Sequence, residues 1–135
     1  LWSTPNVNLY DAVAHGLSTA AIGGFSTYNG SIGSFDSYLV ELIIILGMFT
    51  GAMNYTLQYK FLKSKGNFRV FTRSSEWKLY VKITLLFISV VFLLNWLVDA
   101  VPIGLAFRDS LFNVVALASS TGFGNIRPGG IGDFV

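Results

Sequence analysis

Residues 10–25 read YDAVAHGLSTAAIGGF and residues 108–123 read RDSLFNVVALASSTGF. The two stretches align without a gap at an offset of 98 residues, and identical residues then meet at Asp11/Asp109, Ala20/Ala118, Gly24/Gly122 and Phe25/Phe123. After a one-residue insertion, IGSF at residues 32–35 matches IGDF at residues 131–134. A repeat at a fixed offset predicts that the chain contains two copies of one structural unit.

Each copy starts with a short apolar segment, at residues 10–21 and 107–119. A helix of about 12 residues reaches only about 18 Å, whereas the hydrocarbon core of a bilayer is about 30 Å thick. Each segment has an aspartate that is suited to cap the helix start. Each is followed by a glycine, which tolerates positive φ and lets the backbone leave the helix. We therefore predict two re-entrant pore helices over these ranges.

The loops after the pore helices, residues 22–26 and 120–124, are called the first and second filter loops below. Carbonyl oxygens that turn toward one axis can replace the water shell of a potassium ion, and the helix C-termini add partial negative charge. The side chains of Phe25 and Phe123 are expected to pack behind the loops. The predicted ion-binding backbone comprises Ile22, Gly23, Gly24, Phe25, Ser120, Thr121, Gly122 and Phe123, with potassium at Ile22, Gly23, Ser120 and Thr121.

Two longer apolar runs predict transmembrane helices over residues 38–61 and 77–101. Seven of the nine basic residues lie from Lys60 to Lys82. The positive-inside rule therefore predicts a cytoplasmic loop at residues 62–76. The outer loop 27–37 and both filter loops then face the outer side. A nucleic-acid partner is not expected, because the basic cluster lies between two membrane-spanning runs.

The composition supports a membrane protein, since 53% of the residues are hydrophobic and only 12% are charged, against about 25% charged in soluble domains. The absence of cysteine and the single histidine exclude thiolate or histidine metal clusters. The sequence has no carboxylate pair, activated nucleophile or phosphate-cradling loop that would indicate an enzyme. We therefore expect an all-α membrane protein without a covalent cofactor, with potassium as the transported ligand.

The residues of both loops resemble one family. HGLSTAAIGGFST at residues 15–27 resembles the second pore loop, and ASSTGF at residues 118–123 the third pore loop, of TrkH-type potassium transporters in the Trk/Ktr/HKT superfamily. The resemblance covers nearly the whole chain. It implies a fourfold pseudosymmetric channel fold, with residues 1–61 as the second half of repeat 2 and residues 77–135 as the first part of repeat 3.

The resemblance also implies roles and partners. One filter glycine per repeat corresponds to Gly24 and Gly122, while Gly124 departs from the hydroxyl residue that is common in third loops. The implied partners are the remaining repeats of the same polypeptide, a second copy in a homodimer, a cytoplasmic nucleotide-binding regulatory subunit and the lipid bilayer. The implied location is the plasma membrane, in bacteria the inner membrane.

Two other functions stay open at this point: a carrier with broken helices that hold a substrate at the midplane, and a membrane scaffold that transports nothing. Simple structural roles are preferred for the polar residues Glu41, Asn54 and Gln58, and His15 is expected to be a packed, hydrogen-bonded side chain. Gly47 and Gly51, spaced as G-x-x-x-G, are expected to pack against the pore helix of their own repeat rather than to form a dimer seam.

Overall fold

The computed structural model describes residues 8–98 and 100–125, and every regular element in these ranges is a helix. This agrees with the predicted all-α fold. The repeated IGDF at residues 131–134 lies outside the described residues. The elements are α1 (Leu9–Ala20), a 3₁₀ helix (Ser31–Phe35), α2 (Tyr38–Gly51), α3 (Tyr55–Lys63), α4 (Arg69–Arg73), α5 (Ser75–Leu97) and α6 (Ile103–Ala118).

Helices α1 and α6 are the two short helices that the repeat predicts. Helix α1 lies within a residue of its predicted bounds, whereas α6 begins at Ile103, directly after Pro102. The prediction that the aspartates cap these helices is wrong. Asn8 caps α1, because its side chain accepts a hydrogen bond from the Asp11 N–H at 2.8 Å. Asp109 lies well inside α6, so its carboxylate cannot accept a hydrogen bond from the free N–H groups of the first turn.

The predicted continuous helix over residues 38–61 is also wrong, because α2 ends at Gly51 and α3 begins at Tyr55 with a bend of 97°. Polar side chains stabilise this break. Asn54 caps α3 by accepting from the Thr56 N–H at 2.9 Å. The Gln58 amide donates to the Thr50 carbonyl at 3.0 Å and to the Met53 carbonyl at 3.2 Å. These bonds replace the helical ones that the backbone loses at the bend.

Helix α5 has 23 residues and a mean hydropathy of 2.0 over its most apolar window. Among the described residues it is the single helix that is long and apolar enough to cross a bilayer by itself, and α2 with α3 would make a second, bent span. Its start is fixed by Ser74, whose side chain accepts from the Trp77 N–H at 3.3 Å. The predicted loop at residues 62–76 contains the short helix α4.

The core joins the two copies of the repeat. Helix α2 packs against both α1 and α6, and α5 packs against α6. The buried side chains of Ile44 and Met48 on α2 meet those of Phe112 and Val115 on α6 in one apolar cluster. Helix α2 of the first copy therefore supports the pore helix of the second.

The two glycines of α2 pack against the C-terminal end of α1, as the sequence predicts. A Cβ added at Gly47 would lie 2.5 Å from Thr19 Cγ2, and one at Gly51 would lie 3.3 Å from Ile22 Cγ1. The small residues therefore let α2 approach the pore helix and the first filter loop closely.

Candidate functional site

Helices α1 and α6 end through the same three backbone hydrogen bonds. In the first copy, the N–H groups of Ala21, Ile22 and Gly23 donate to the carbonyls of Leu17, Thr19 and Ser18. In the second copy, the N–H groups of Ser119, Ser120 and Thr121 donate to the carbonyls of Val115, Leu117 and Ala116. Every bond maps onto its counterpart at the repeat offset. The chain therefore enters both filter loops with the same geometry, although none of these residues is identical between the two copies.

Both filter loops have an unusual backbone conformation. Positive φ angles occur at Ile22 (54°) and Gly24 (64°), and again at the equivalent Ser120 (60°) and Gly122 (77°). A β-branched residue such as isoleucine rarely adopts this conformation, which costs about 1–3 kcal/mol. The glycines adopt it without that cost. Strain at the same position in both copies indicates that the surrounding structure imposes the loop geometry.

The alternating backbone of both filter loops leaves carbonyl groups without hydrogen-bond donors. The residue between each positive-φ pair has no positive φ, and such alternation brings successive N–H groups to one side of the chain and carbonyl groups to the other. Within the described ranges, the carbonyl oxygens of residues 22–24 and 120–122 accept no hydrogen bond. The carbonyl oxygens of both loops therefore have no hydrogen-bond donor among the described residues.

The two filter loops lie directly against each other. A Cβ added at Gly24 would lie 1.8 Å from the Thr121 carbonyl oxygen and 2.9 Å from its carbonyl carbon. The contact is therefore main chain against main chain, and only glycine fits at position 24. The equivalent face of Gly122 is open, since no heavy atom of the described residues lies within 4 Å of a Cβ built there.

The two filter phenylalanines have different surroundings. Phe123 is only 3% exposed and stacks on the His15 ring with centroids 6.1 Å apart, as its predicted packing behind the loop requires. The same prediction is wrong for Phe25, which is 68% exposed. The reason is that Phe123 packs against the other copy, whereas no described residue covers Phe25 in the corresponding way.

The end of the second filter loop is held by the 3₁₀ helix of the first copy. The Gly124 N–H donates to Ser31 Oγ at 3.2 Å, and the Ile32 N–H donates to the Gly124 carbonyl at 3.0 Å. Since both bonds involve the Gly124 backbone, the departure from the family's hydroxyl residue leaves this contact intact.

His15 lies between the two loops and is 1% exposed. Its Nδ1 lies 2.8 Å from the Asp11 carbonyl oxygen, which can only accept, so Nδ1 carries a hydrogen. In the neutral ring Nε2 then accepts from Ser26 Oγ, also at 2.8 Å. Both ring nitrogens are hydrogen-bonded, which confirms the prediction of a packed side chain.

The aspartates of the repeat bind the chain just beyond each filter loop. Thr27 Oγ1 donates to Asp11 Oδ1 at 2.7 Å, and Tyr28 donates through its hydroxyl to Asp11 Oδ2 at 2.8 Å. In the second copy, Asn125 Nδ2 donates to Asp109 Oδ1 at 2.9 Å. The hydrogen bond from Thr27 lowers the pKa of the Asp11 carboxyl, with burial acting in the opposite direction. The same carboxylate raises the pKa of Tyr28.

A buried ion pair connects the two copies, and the sequence analysis missed it. Arg108 on α6 donates to Glu41 on α2 through Nε at 2.6 Å and Nη2 at 2.8 Å, with the ring of Tyr38 3.5 Å from the guanidinium carbon. Arg108 is 9% exposed and Glu41 2%. The available signal was an acid, Glu41, and a base, Arg108, within apolar segments, since such groups need a partner away from water.

The remaining predicted polar residues have structural roles. Besides capping α3, Asn54 donates through Nδ2 to Glu76 on α5 at 3.1 Å. No group of three acidic or histidine side chains within the described ranges could hold a metal ion. Among the predicted filter residues, the backbone of Gly24 in the first loop contacts the backbone of Thr121 and Gly122 in the second.

The fold and the two loops define a class of membrane protein in which short re-entrant helices end in repeated, strained loops that expose backbone carbonyl groups. The particular family follows from comparison with known proteins. A family model described as TrkH, cation transport protein, matches residues 2–128. The chain belongs to this family, which confirms the resemblance drawn from the loop residues. Since the family is one of transport proteins, the prediction that the chain is not an enzyme is also confirmed.

Related proteins cover most of this chain. The Trk system potassium uptake protein TrkH of Escherichia coli strain K12 is 30% identical over 91% of the chain. TrkG of the same strain is 33% identical over 84%. The crystal structure of the potassium transporter TrkH from Vibrio parahaemolyticus matches 87% of the chain with a TM-score of 0.82 and 33% identity. The chain spans about a quarter of these proteins, namely 25%, 23% and 25% of their lengths.

Proposed function

We propose that this chain supplies two adjacent quarters of a potassium-selective pore. The observation that carries the proposal is the paired loop geometry: residues 22–24 and 120–122 have matching backbone conformations and carbonyl oxygens without donors, and the two loops are in direct contact. The names of the related proteins, which describe potassium uptake, support the same ion.

The chemistry of the pore is exchange of one oxygen shell for another. A potassium ion leaves its water shell and is coordinated by carbonyl oxygens, with Ile22, Gly23, Ser120 and Thr121 as the residues that this chain contributes. No bond is made or broken. The ends of α1 and α6 add partial negative charge beside the loops. The membrane potential drives the ion inward with about 2.3 kcal/mol per 100 mV.

A complete pore needs further repeat units, and this chain has open surfaces against which such units could pack. Gly24 presents its backbone to the next loop, and the same face of Gly122 is open. Phe123 is covered by the preceding copy, and the equivalent Phe25 is exposed. A ring with one more repeat unit on each side would cover both the open face of Gly122 and the side chain of Phe25. The remaining repeats of the same polypeptide are the proposed source of these units.

The proposed topology places the filter loops toward the outer side of the plasma membrane, in bacteria the inner membrane, and the basic segment 62–76 in the cytoplasm. The exposed leucines of α5, such as Leu85 and Leu93, then face lipid or other helices of the protein. The cytoplasmic side is the proposed docking place of a nucleotide-binding regulatory subunit. We further propose that the complete protein is a homodimer.

Uptake of rubidium and sodium by the full-length protein tests the pore. Gly24→Ala introduces a methyl group against the Thr121 carbonyl, and Gly122→Ala strains a residue with a φ of 77°. We expect both substitutions to reduce rubidium uptake by at least about tenfold, equivalent to about 1.4 kcal/mol. Gly16→Ala and Gly104→Ala are matched controls in the two copies, because a Cβ at either position meets no heavy atom within 4 Å.

The same experiment separates the alternatives. Unchanged flux and ion preference in both filter variants, at normal protein levels, would remove these glycines from the pathway. A scaffold would show no uptake in the wild type. A carrier with inverted repeats would make single cysteines at Asn29 and Gly129 accessible from opposite sides of the membrane, whereas the proposed pore exposes both to the outside.

A further inference from the structure

A carboxylate lies behind each filter loop and bonds the chain that leaves it. The two hydrogen bonds, Thr27 to Asp11 and Asn125 to Asp109, each connect residues 16 positions apart, with lengths of 2.7 and 2.9 Å. All four residues correspond at the repeat offset. The donor is a hydroxyl group in one copy and an amide in the other. The contact is therefore kept although the donor chemistry differs.

We propose that Asp11 and Asp109 are positioning residues that set the discrimination between potassium and sodium. Each carboxylate holds the outer end of its filter loop against the pore helix that precedes the loop. This inference rests on the proposed pore, since it concerns the geometry of the same carbonyl groups. Neither aspartate coordinates the ion itself.

The geometry shows why the carboxylates matter to the filter. The start of the first loop is fixed where the Gly23 N–H donates to the Ser18 carbonyl at 2.8 Å, and its end is fixed where Thr27 bonds Asp11. Only residues 24–26 lie between these two points. In the second copy, the Gly122 N–H donates to the Ala116 carbonyl at 3.2 Å, so only residues 123 and 124 lie before Asn125.

Two restrained ends limit how far the carbonyl oxygens can move. Replacing one end by a free chain would let the loop relax its strained positive-φ residues and change the distances at which the oxygens meet an ion. Sodium is the smaller ion, so a loop that can contract would coordinate it better than a loop held open. Loss of a carboxylate is therefore expected to raise sodium uptake relative to potassium.

Helix capping does not explain the aspartates. Asn8 already caps α1, and Asp109 lies inside α6, where aspartate is a poor helix former. Asp11 is 3% exposed, and Asn125 is 7% exposed. An ionised carboxylate as buried as that of Asp11 must be hydrogen-bonded to be tolerated, and hydrogen bonds to a charged acceptor are strong. The positions of Asp11 and Asp109 are therefore those expected of residues that restrain the filter loops.

The experiment uses the full-length protein in liposomes and compares initial rates of rubidium and sodium uptake. Asp11→Ala and Asp109→Ala remove the acceptor. Asp11→Asn and Asp109→Asn keep an oxygen that can accept the same bond. Asp36→Asn is the matched control, because Asp36 lies on the exposed outer loop. We expect the alanine variants to lower the rubidium-to-sodium ratio about tenfold, and the asparagine variants to stay near the wild type.

The possible outcomes distinguish this inference from the pore itself. If the wild type is selective and the Gly24 and Gly122 variants lose uptake, an unchanged ratio in both alanine variants overturns the role of the aspartates alone. Absence of selective uptake in the wild type overturns the pore as well. If an alanine variant does not accumulate, Thr27→Val combined with Tyr28→Phe removes the donors to Asp11, and Asn125→Leu removes the donor to Asp109. An unchanged ratio in both of these variants would equally refute the proposal.

Discussion

The buried pair of Glu41 and Arg108 makes a sharp prediction, because it connects residues 67 positions apart in the two copies of the repeat. Arg108→Met keeps an apolar stem but leaves the Glu41 carboxylate, 2% exposed, without this cation. Breaking a buried pair in this way costs about 3–5 kcal/mol. The contact of the guanidinium with the Tyr38 ring adds about 1 kcal/mol to the loss.

The double variant is the informative control. Replacing both partners by apolar residues, as in Glu41→Leu with Arg108→Met, removes the buried charge together with its partner and is expected to be nearly neutral in stability. The double-mutant cycle should therefore give a coupling energy of about 3 kcal/mol between the two positions.

The assay is thermal unfolding of the purified full-length protein in detergent. The quantity measured is the fraction of the protein that remains monodisperse after heating. Each single variant should lose monodispersity well below the wild-type temperature, and the double variant should recover most of the difference. If the destabilisations of the single variants simply add in the double variant, the pair does not stabilise the contact between α2 and α6, and the reasoning fails.

Three further predictions concern packing and pH. Gly47→Ala places a methyl group 2.5 Å from Thr19 Cγ2 and should destabilise the protein by about 1–3 kcal/mol in the same thermal assay, whereas Gly16→Ala should not. Phe123→Ala should cost about 3–5 kcal/mol, and a similar cost for Phe25→Ala in the full-length protein would indicate that another repeat covers that side chain. The lowered pKa of Asp11 means that its stabilisation is complete above the ordinary value of 3.8 and is lost as the pH falls through the lower folded value. The rubidium-to-sodium ratio should therefore be constant from about pH 5 to pH 8, and a change in that range which Asp11→Asn abolishes would contradict this assignment.

The repeat could be read from the sequence because its key positions need particular residues. Glycine at positions 24 and 122 tolerates positive φ, and the segment before each of them is too short to cross a bilayer. These two facts predict a re-entrant helix and a strained loop without any tertiary information. The packing of Gly47 against α1 followed in the same way, since a small residue on an apolar helix indicates close approach.

Contacts that depend on two distant segments could not be predicted. The ion pair needs Glu41 and Arg108 to face each other, and nothing in the local sequence of either residue identifies the other. The break after Gly51 was missed because hydropathy is continuous across it, while the bonds of Asn54 and Gln58 that stabilise it are local and polar. The exposure of Phe25 was missed because the surroundings of its side chain depend on residues distant in sequence rather than on its own loop.

The main-chain contact between Gly24 and Thr121 has a consequence for how such duplicated proteins diverge. A contact between peptide groups uses atoms that every residue type supplies, so substitutions at most positions leave the chemistry of the contact unchanged. Selection then acts on a few sites where a side chain would intrude, and the other positions can drift apart between the duplicated halves. Ile22 and Ser120 can therefore share one backbone conformation although the two copies have only a few identical residues.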